Sequence, residues 1–294
     1  MTFNLECTVS RFEHDGCRVH QYGSGADTFH TNAFIVETAK QLVIIDTMMT
    51  VSEARGLKAY AGSIGKPLAA ILITHGHPDH YNGVGQLRDI AGTVPVITTR
   101  AVNAAIHGSV DSKALKWKPI FGAEWPDDKF AADRFMATGE AMWIDGLRFE
   151  LMELGKGESA CDTCWLVGES RRAVFVGDVV FNGVHSFMND GHSTQWLHSL
   201  TQLESILMPE DSIYTGHGQP GVPAMAIPEQ RRYLEHYRQT VRLLACGRPW
   251  LDEAAKGALV REMNAYLGTD KLAVFVQAGA DAVARELAEQ WPGD

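Results

Sequence analysis

A buried strand that runs directly into a histidine-rich loop constrains this chain most. The apolar run over residues 69–74 passes without a break into His75-Gly76-His77-Pro78-Asp79-His80. Imidazole and carboxylate side chains suit zinc, and also iron or manganese. Ligands at i and i+2 do not share a helix face, but where a strand bends into a helix the backbone can direct them around one point. The loop therefore predicts a metal site at the end of this strand.

Two stretches of the chain share one arrangement. Residues 33–46 read as two β-branched runs joined by a polar turn and end in Asp46, and residues 163–178 repeat this and end in Asp178. Each hairpin is followed by a segment with helical spacing and then by a further strand, over 69–74 and 212–215. Two such halves predict an α/β fold in which two mixed sheets pack face to face, with helices on both outer faces.

Residues 101–138 interrupt this pattern, because they are rich in Lys, Asp, Pro and Trp and contain no obvious strand. Long insertions of this kind are often lids or binding loops, so we expect a cleft wall and not a core element. Trp117 and Trp125 either line a substrate cleft or anchor the insertion, and anchoring is slightly favoured.

Helical spacing resumes near the end of the chain, over residues 229–244, 251–266 and 279–291. We therefore predict one main domain over residues 1–226 and a helical extension over residues 227–294, packed on the same domain.

The amino-acid composition argues against some classes of binding partner. The formal net charge of −10 argues against a nucleic-acid backbone as the partner. No apolar run reaches the roughly 18 residues that indicate a membrane span, and Met1–Cys7 do not resemble a signal peptide. Five scattered cysteines are not a disulfide framework, and the isolated pair Cys161 and Cys164 is expected to pack in the interior. We expect a cytoplasmic protein that acts on a small molecule, and a homodimer is left open.

The pattern His-x-His-x-Asp-His after a strand resembles the signature of the metallo-β-lactamase superfamily. Over roughly residues 30–220, other positions match that family in order. Asp46 resembles the carboxylate below the histidine loop, Asp178 the bridging aspartate, and His217, within Thr215-Gly216-His217-Gly218, the last histidine ligand. The resemblance implies an αββα sandwich with metals at one edge, between the sheets.

The same resemblance implies a set of metal ligands. His75, His77 and one later residue would bind a first divalent ion, and Asp79, His80 and His217 a second, with Asp178 as the bridge. Two ions are implied, with zinc first and manganese or iron as alternatives; such a pair acidifies a shared water and polarises the substrate. Asp79 is also expected to orient the water or take up its proton.

Three further histidines follow Asp178 in the sequence. His185, seven residues after the bridging aspartate, is a candidate to contact the substrate or donate a proton, with an ordinary loop histidine as the alternative. His192 and His198 are interpreted as surface residues of a polar helix start.

One position departs from the family pattern. Where the family usually has Gly-His-Ser or Gly-His-Thr, this chain has Gly157-Glu158-Ser159. A carboxylate can bind zinc but is harder than imidazole and adds negative charge. We therefore predict Glu158 as the third ligand of the first metal. The alternative is a solvated loop residue and a single-metal site.

The leading functional hypothesis is a metal-dependent hydrolase that uses metal-activated hydroxide on an ester, thioester, lactone, amide or similar bond. A mononuclear-iron oxidoreductase similar to sulfur dioxygenases stays open because of Glu158. A non-catalytic binding protein with the same fold is opposed by the complete ligand set, and nucleic-acid processing is opposed by the acidic charge.

Overall fold

A computed structural model of the protein describes residues 6–88, 94–127 and 130–290. The predictions that involve residues 1–5 or residue 291 lie outside these ranges. In the described ranges the strands, in chain order, are β1 Thr8–His14, β2 Cys17–Gly23, β3 Asn32–Glu37, β4 Leu42–Ile45, β5 Leu68–Leu72, β6 Val96–Thr98, β7 Arg134–Phe135, β8 Ala141–Ile144, β9 Leu147–Gly155, β10 Asp162–Val167, β11 Ala173–Gly177 and β12 Ser212–Thr215. The α-helices are α1 Val51–Ile64, α2 Pro78–Tyr81, α3 Val84–Leu87, α4 Arg100–Phe121, α5 Ser193–Ile206, α6 Pro223–Ala245, α7 Glu253–Leu267 and α8 Ala273–Glu289.

The strands form two mixed sheets. In the first, of order β1-β2-β3-β4-β5-β6-β7, the strands from β1 to β4 are antiparallel neighbours and those from β4 to β7 are parallel. The second has the order β12-β11-β10-β9-β8 and ends in the parallel pair β11 and β12. Both predicted hairpins are confirmed, because β3 pairs antiparallel with β4 and β10 with β11.

Three hydrophobic clusters fill the spaces between four layers. Phe34 and Ile45 of the first sheet meet Trp165 and Phe175 of the second in a cluster between the sheets. A second cluster joins the other face of the first sheet to α1, α3 and α4, and a third joins the second sheet to α5, α6, α7 and α8. Burial of apolar side chains on both faces of each sheet explains the nearly continuous apolar runs of the central strands. The predicted αββα sandwich is confirmed.

The C-terminal helices share a core with the second sheet. Val174 of β11 and Trp196 of α5 lie in one cluster with Tyr237 of α6 and Val283 of α8. Because α6 begins at Pro223, the domain boundary predicted after residue 226 falls inside the first turn of this helix. Among the described residues, no helix is both long enough and apolar enough to cross a membrane.

The expectation that residues 101–138 contain no strand and no core element is wrong. Most of this segment is helix α4, which begins where the Thr99 side chain accepts a hydrogen bond from the backbone N–H of Val102, and β7 follows it at the sheet edge. Val102 and Ile106 are fully buried against the first sheet. The Pro119 that suggested a loop stands in the last turn of the helix. Local composition therefore hid a helix that the tertiary contacts stabilise.

A buried ion pair fixes the starts of β11 and β12. Arg172 Nη2 lies 2.6 Å from Asp211 Oδ2, and the same carboxylate accepts hydrogen bonds from the backbone N–H groups of Arg172 and Met208. We expect Asp211→Ala to lower the free energy of unfolding by about 3 kcal/mol, since removal of one partner leaves a buried charge unpaired. Urea unfolding monitored by circular dichroism measures the change.

Glu140→Ala is the matched control, because it removes a carboxylate from a solvent-exposed pair with Arg134. Such pairs contribute little, so its unfolding midpoint should stay at the parent value. Equal effects of the two substitutions would show that the Arg172–Asp211 pair does not stabilise these strand ends.

Candidate metal centre

The predicted ligands lie at one edge of the sandwich, where strands end. Asp46 follows β4, His75 follows β5 after two residues, Asp178 follows β11, and His217 follows β12 after one residue. In each sheet the two strands are parallel neighbours, so their carboxyl ends meet at the same edge. This edge is where ligands bind in open α/β sheets. The alternation of strand and helix in each half of the sequence therefore places these residues together.

Thr74 ties the histidine loop to both sheets. Its backbone N–H and its hydroxyl donate to the two carboxylate oxygens of Asp46, at 2.9 and 2.8 Å. Its carbonyl oxygen accepts from the N–H and the hydroxyl of Thr163 on β10, at 3.1 and 2.6 Å. Thr74 and Asp46 are both buried, so these hydrogen bonds hold the loop in one position relative to the second sheet.

Two groups of potential ligands meet at Asp178. Its Oδ2 lies 3.1 Å from His217 Nε2 and 3.9 Å from His75 Nε2, and its Oδ1 lies 3.5 Å from His80 Nε2. In each group the possible ligand atoms lie within 4.8 Å of one another. The first group is His75, His77, Glu158 and Asp178, and the second is Asp79, His80 and His217.

A glycine permits this close approach. A side chain at Gly216 would collide with the carboxylate of Asp178 and crowd the ring of His80. Position 216 therefore needs glycine so that β12 can pass the site and deliver His217.

The histidine loop presents His75 and His80 with fixed ring orientations. His80 Nδ1 donates to Asp46 Oδ2 at 2.9 Å. Because the Thr74 hydroxyl already donates to Asp46, its oxygen accepts from His75 Nδ1, also at 2.9 Å. The Nε2 atoms of both rings are buried and lack a hydrogen-bond partner among the described residues. Each ring therefore directs an unused lone pair towards Asp178.

The other two imidazoles are held in the same way. His217 Nδ1 donates to the backbone carbonyl of Phe29 at 2.8 Å, which leaves Nε2 facing Asp79 and Asp178. His77 Nε2 donates to Asp190 Oδ2 at 3.0 Å, which leaves Nδ1 facing Glu158. Metal-binding histidines characteristically donate their second N–H to a carboxylate or carbonyl group. His77, His80 and His217 fit that pattern, and His75 donates to the Thr74 hydroxyl instead, so the residues present suit bound cations.

Glu158 lies inside this cluster and is only 1% exposed, so its interpretation as a solvated loop residue is wrong. Its Oε2 is 2.9 Å from His77 Nδ1 and 3.7 Å from His75 Nε2. Asp162 holds the loop in place, since it accepts hydrogen bonds from the N–H and the hydroxyl of Ser159. The loop thus brings Glu158 into the first group of potential ligands, beside His75 and His77.

The electrostatics of the cluster favour positive charge. Burial raises the pKa of Glu158 to about 8, against the opposing effect of His77. Burial opposes protonation of His77 and His217, but the Glu158 carboxylate raises the pKa of His77 to about 10, and Asp178 raises that of His217 to about 10. Cations and protons compete for the same lone pairs, so metal binding to this set would release protons.

The structure does not bring His185 to this cluster. The ring is fully buried, with Nδ1 2.8 Å from the hydroxyl of Tyr233 and Nε2 3.0 Å from the carbonyl of Thr269. Both ring nitrogens therefore connect its loop to the C-terminal helices, and this geometry gives no support to a contact with the substrate. His198 is exposed, as expected, and His192 is partly buried at the start of α5.

The two neighbouring cysteines pack in the interior as expected. Cys161 lies in the cluster under the first sheet, and Cys164 in the cluster between the second sheet and the C-terminal helices. Both are free thiols, and they lie in different clusters.

A cleft opens onto the cluster. Asp79, which is 8% exposed, and His217 form part of its floor. The surrounding walls are largely apolar and come from distant parts of the chain: Phe29, Met49, Lys113, Trp117, Phe187 and Phe275. Trp117 therefore lines the cleft, whereas Trp125 is buried against Met49 and Phe121 as an anchor.

Several residues of the site had no signal in the sequence. Asp190, which orients His77, stands in a polar loop before α5, and Phe275 stands on α8. Neither belongs to a spacing pattern, because each meets the site only through tertiary folding.

Known proteins resemble this chain in sequence and in fold. The model of the metallo-beta-lactamase superfamily matches residues 26–217, which include every predicted metal ligand. The chain belongs to the metallo-beta-lactamase superfamily. A beta-lactamase domain protein from Burkholderia ambifaria has the same fold, with a TM-score of 0.69 at 19% identity, covering 96% of this chain and 88% of that chain.

Two relatives share low sequence identity with this chain. A hydroxyacylglutathione hydrolase of Shewanella baltica is 26% identical over 71% of this chain and 66% of its own length. The lactamase-like protein aptB of Emericella nidulans is 22% identical over 70% of this chain and 56% of its own length. This superfamily member thus spans less than two thirds of either relative.

We expect the residue type at position 158 to determine how many metal ions each chain binds. Glu158→Ala should lose the first metal and keep the second, because His80, His217 and Asp79 remain. Glu158→His should keep two metals and raise the preference for zinc, since imidazole is the softer ligand. Elemental analysis per chain under matched metal supply measures both.

Glu153→Ala is the control, because it removes an exposed carboxylate from the same region. It should keep the parent metal content. The same stoichiometry in the parent and in both Glu158 variants would identify Glu158 as a bystander.

We expect His185 to act in stability and not in turnover. His185→Leu removes two hydrogen bonds and leaves Tyr233 and Thr269 with buried unpaired groups, which should cost about 2 kcal/mol of unfolding free energy. Metal content and kcat, measured below the unfolding transition, should stay within twofold of the parent. A hundredfold loss of kcat with unchanged stability would instead restore a catalytic role.

Proposed function

We propose that this protein is a metal-dependent hydrolase that binds two divalent ions, zinc foremost with manganese or iron as alternatives. We propose an ester, thioester, lactone, amide or similar bond as its target. One observation carries the proposal: four buried imidazoles each have one nitrogen engaged outside the cluster and direct the other towards shared carboxylates. This orientation leaves buried lone pairs without a hydrogen-bond donor, which is unfavourable unless cations bind there.

The residues divide into two proposed sets. His75, His77 and Glu158 would hold one ion, Asp79, His80 and His217 the other, and Asp178 would contact both. Bound ions would supply an acidified water and an electrophile for the substrate oxygen. Three carboxylates, Asp79, Glu158 and Asp178, against two divalent ions leave a net positive centre, which favours a developing oxyanion.

Asp79 is the residue we assign to proton handling. It lines the cleft, and its Oδ2 accepts a hydrogen bond from the Thr31 hydroxyl at 2.9 Å. This bond fixes the direction of the carboxylate between His80 and His217, whose Nε2 atoms each lie 3.4 Å away. A carboxylate held at the boundary between ligands and cleft can orient a water molecule and accept its proton.

The cleft walls support small-molecule hydrolysis. Phe29, Phe187 and Phe275 surround the opening and would displace water from around a bound substrate. Electrostatic stabilisation of charge is stronger in such a water-poor site. The names of the distant relatives, hydroxyacylglutathione hydrolase and lactamase-like protein, favour hydrolysis of an acyl compound here.

The test is a panel of chromogenic ester, thioester, lactone, phosphodiester and β-lactam substrates, assayed beside elemental analysis of the purified protein. We expect turnover of at least one acyl substrate. His77→Ala should lose bound metal and activity together while the circular dichroism spectrum is preserved, because the loop lies at the sheet edge.

His198→Ala is the control, since His198 is an exposed histidine of α5. It should keep both metal and activity. Normal metal content and turnover in His77→Ala would refute the ligand assignment, and iron with thiol oxidation in place of hydrolysis would favour an oxidoreductase.

A further inference from the structure

We propose that the substrate carries an apolar, preferably aromatic, body and a negative charge remote from the scissile bond, and that Lys113 binds this charge. The inference rests on the proposed hydrolase function and specifies its substrate class. It is carried by the cleft walls, which combine a continuous aromatic surface with a single lysine.

The aromatic surface is built by four separate segments of the chain. The ring of Phe29 lies 5.4 Å from that of Trp117 and 5.3 Å from that of Phe275, and Phe275 lies 5.1 Å from Phe187. These centroid distances are those of favourable aromatic pairs. The four rings therefore support one another and form one wall, which an aromatic or branched apolar group could contact.

This wall reaches both groups of potential ligands. Phe187 meets His77 edge-on at 5.5 Å, and Phe275 meets His217 at 5.9 Å. An apolar body against the rings would therefore lie beside the cluster and not at a separate surface. The wall is part of the reaction site and can select substrates by shape.

Lys113 supplies the positive charge. It stands on α4, its side chain is 19% exposed, and it is the one lysine or arginine among the described residues that line the cleft. Its Nζ lies 4.0 Å from Asp190 Oδ1, which is too long for a hydrogen bond. Among the described residues, Nζ has no hydrogen-bond acceptor, so its three N–H donors are available to a ligand.

Asp190 does not neutralise this lysine fully, because its other oxygen accepts the hydrogen bond from His77. Asp190 thus connects the ligand histidine to Lys113 and holds the ammonium group beside the cleft. Since the chain has a formal net charge of −10, a local cation favours an anionic group in this part of the cleft, away from the proposed ions. A carboxylate is the simplest anion that fits one ammonium group.

Binding of two ketones that cannot be hydrolysed tests the proposal on the purified metal-bound protein. 3-Benzoylpropionate has an aromatic body and a carboxylate, and 1-phenylpentane-1,4-dione is its neutral counterpart, with a methyl ketone in place of the carboxylate. By isothermal titration calorimetry, we expect the parent to bind the anion at least tenfold more tightly than the diketone. Lys113→Met should weaken binding of the anion about tenfold and change binding of the diketone less than twofold.

Lys118→Met is the matched control, because it removes the same charge from α4 at a lysine outside the cleft that pairs with Asp127. It should bind both ketones like the parent. Metal content of all three proteins shows whether the site is intact.

The possible results distinguish failure of this proposal from failure of the hydrolase function. If Lys113→Met binds the anion as tightly as the parent does, the carboxylate contacts another group and the proposal is wrong. If both lysine variants weaken it equally, only general charge attraction is present and the proposal is also wrong. Failure of every substrate in the hydrolysis panel, with the predicted ketone selectivity retained, would instead refute the hydrolase function alone.

Discussion

The buried carboxylate of Asp46 organises the site through hydrogen bonds to the residues that carry the potential metal ligands. It accepts hydrogen bonds from the N–H and the hydroxyl of Thr74 and from Nδ1 of His80. Through Thr74 it also sets the ring of His75 and, through the Thr163 contacts, the position of the second sheet. A buried carboxylate with several donors is stable only when all of them are in place. The orientation of two ligand rings and the joining of two sheets therefore depend on one side chain.

The consequence for chemistry is that hydrogen bonds within the fold direct the lone pairs of the potential ligands. The second nitrogen of each imidazole donates to a fixed acceptor, which opposes rotation of the ring and a change of tautomer. Preorganisation of this kind lowers the cost of binding. The same geometry leaves Asp178 between the two groups of potential ligands.

The sequence predicted those parts of the protein that depend on local patterns. The hairpins ending in Asp46 and Asp178 and the strand before His75 follow from apolar spacing, and the resemblance added the αββα arrangement. Helix α4 was missed because Pro119 and several charged residues dominate its composition, whereas its buried residues Val102 and Ile106 are few.

The contact between Phe29 and Phe275 in the cleft wall could not be predicted. Phe29 and Phe275 are more than two hundred residues apart in the chain and meet only after the C-terminal helices pack on the second sheet. The position of His185, seven residues after Asp178, suggested a role in the chemistry. In the structure its hydrogen bonds stabilise the fold instead. Spacing identifies ligands on one strand end, but it does not identify contacts between distant elements.

The most direct test of the account is anomalous diffraction from crystals of the protein supplied with zinc, measured on both sides of the zinc absorption edge. We predict two peaks per chain, one bound by His75, His77 and Glu158 and one by Asp79, His80 and His217, with Asp178 in contact with both. A single peak, or two peaks without Glu158 or Asp178 among the ligands, would contradict the account.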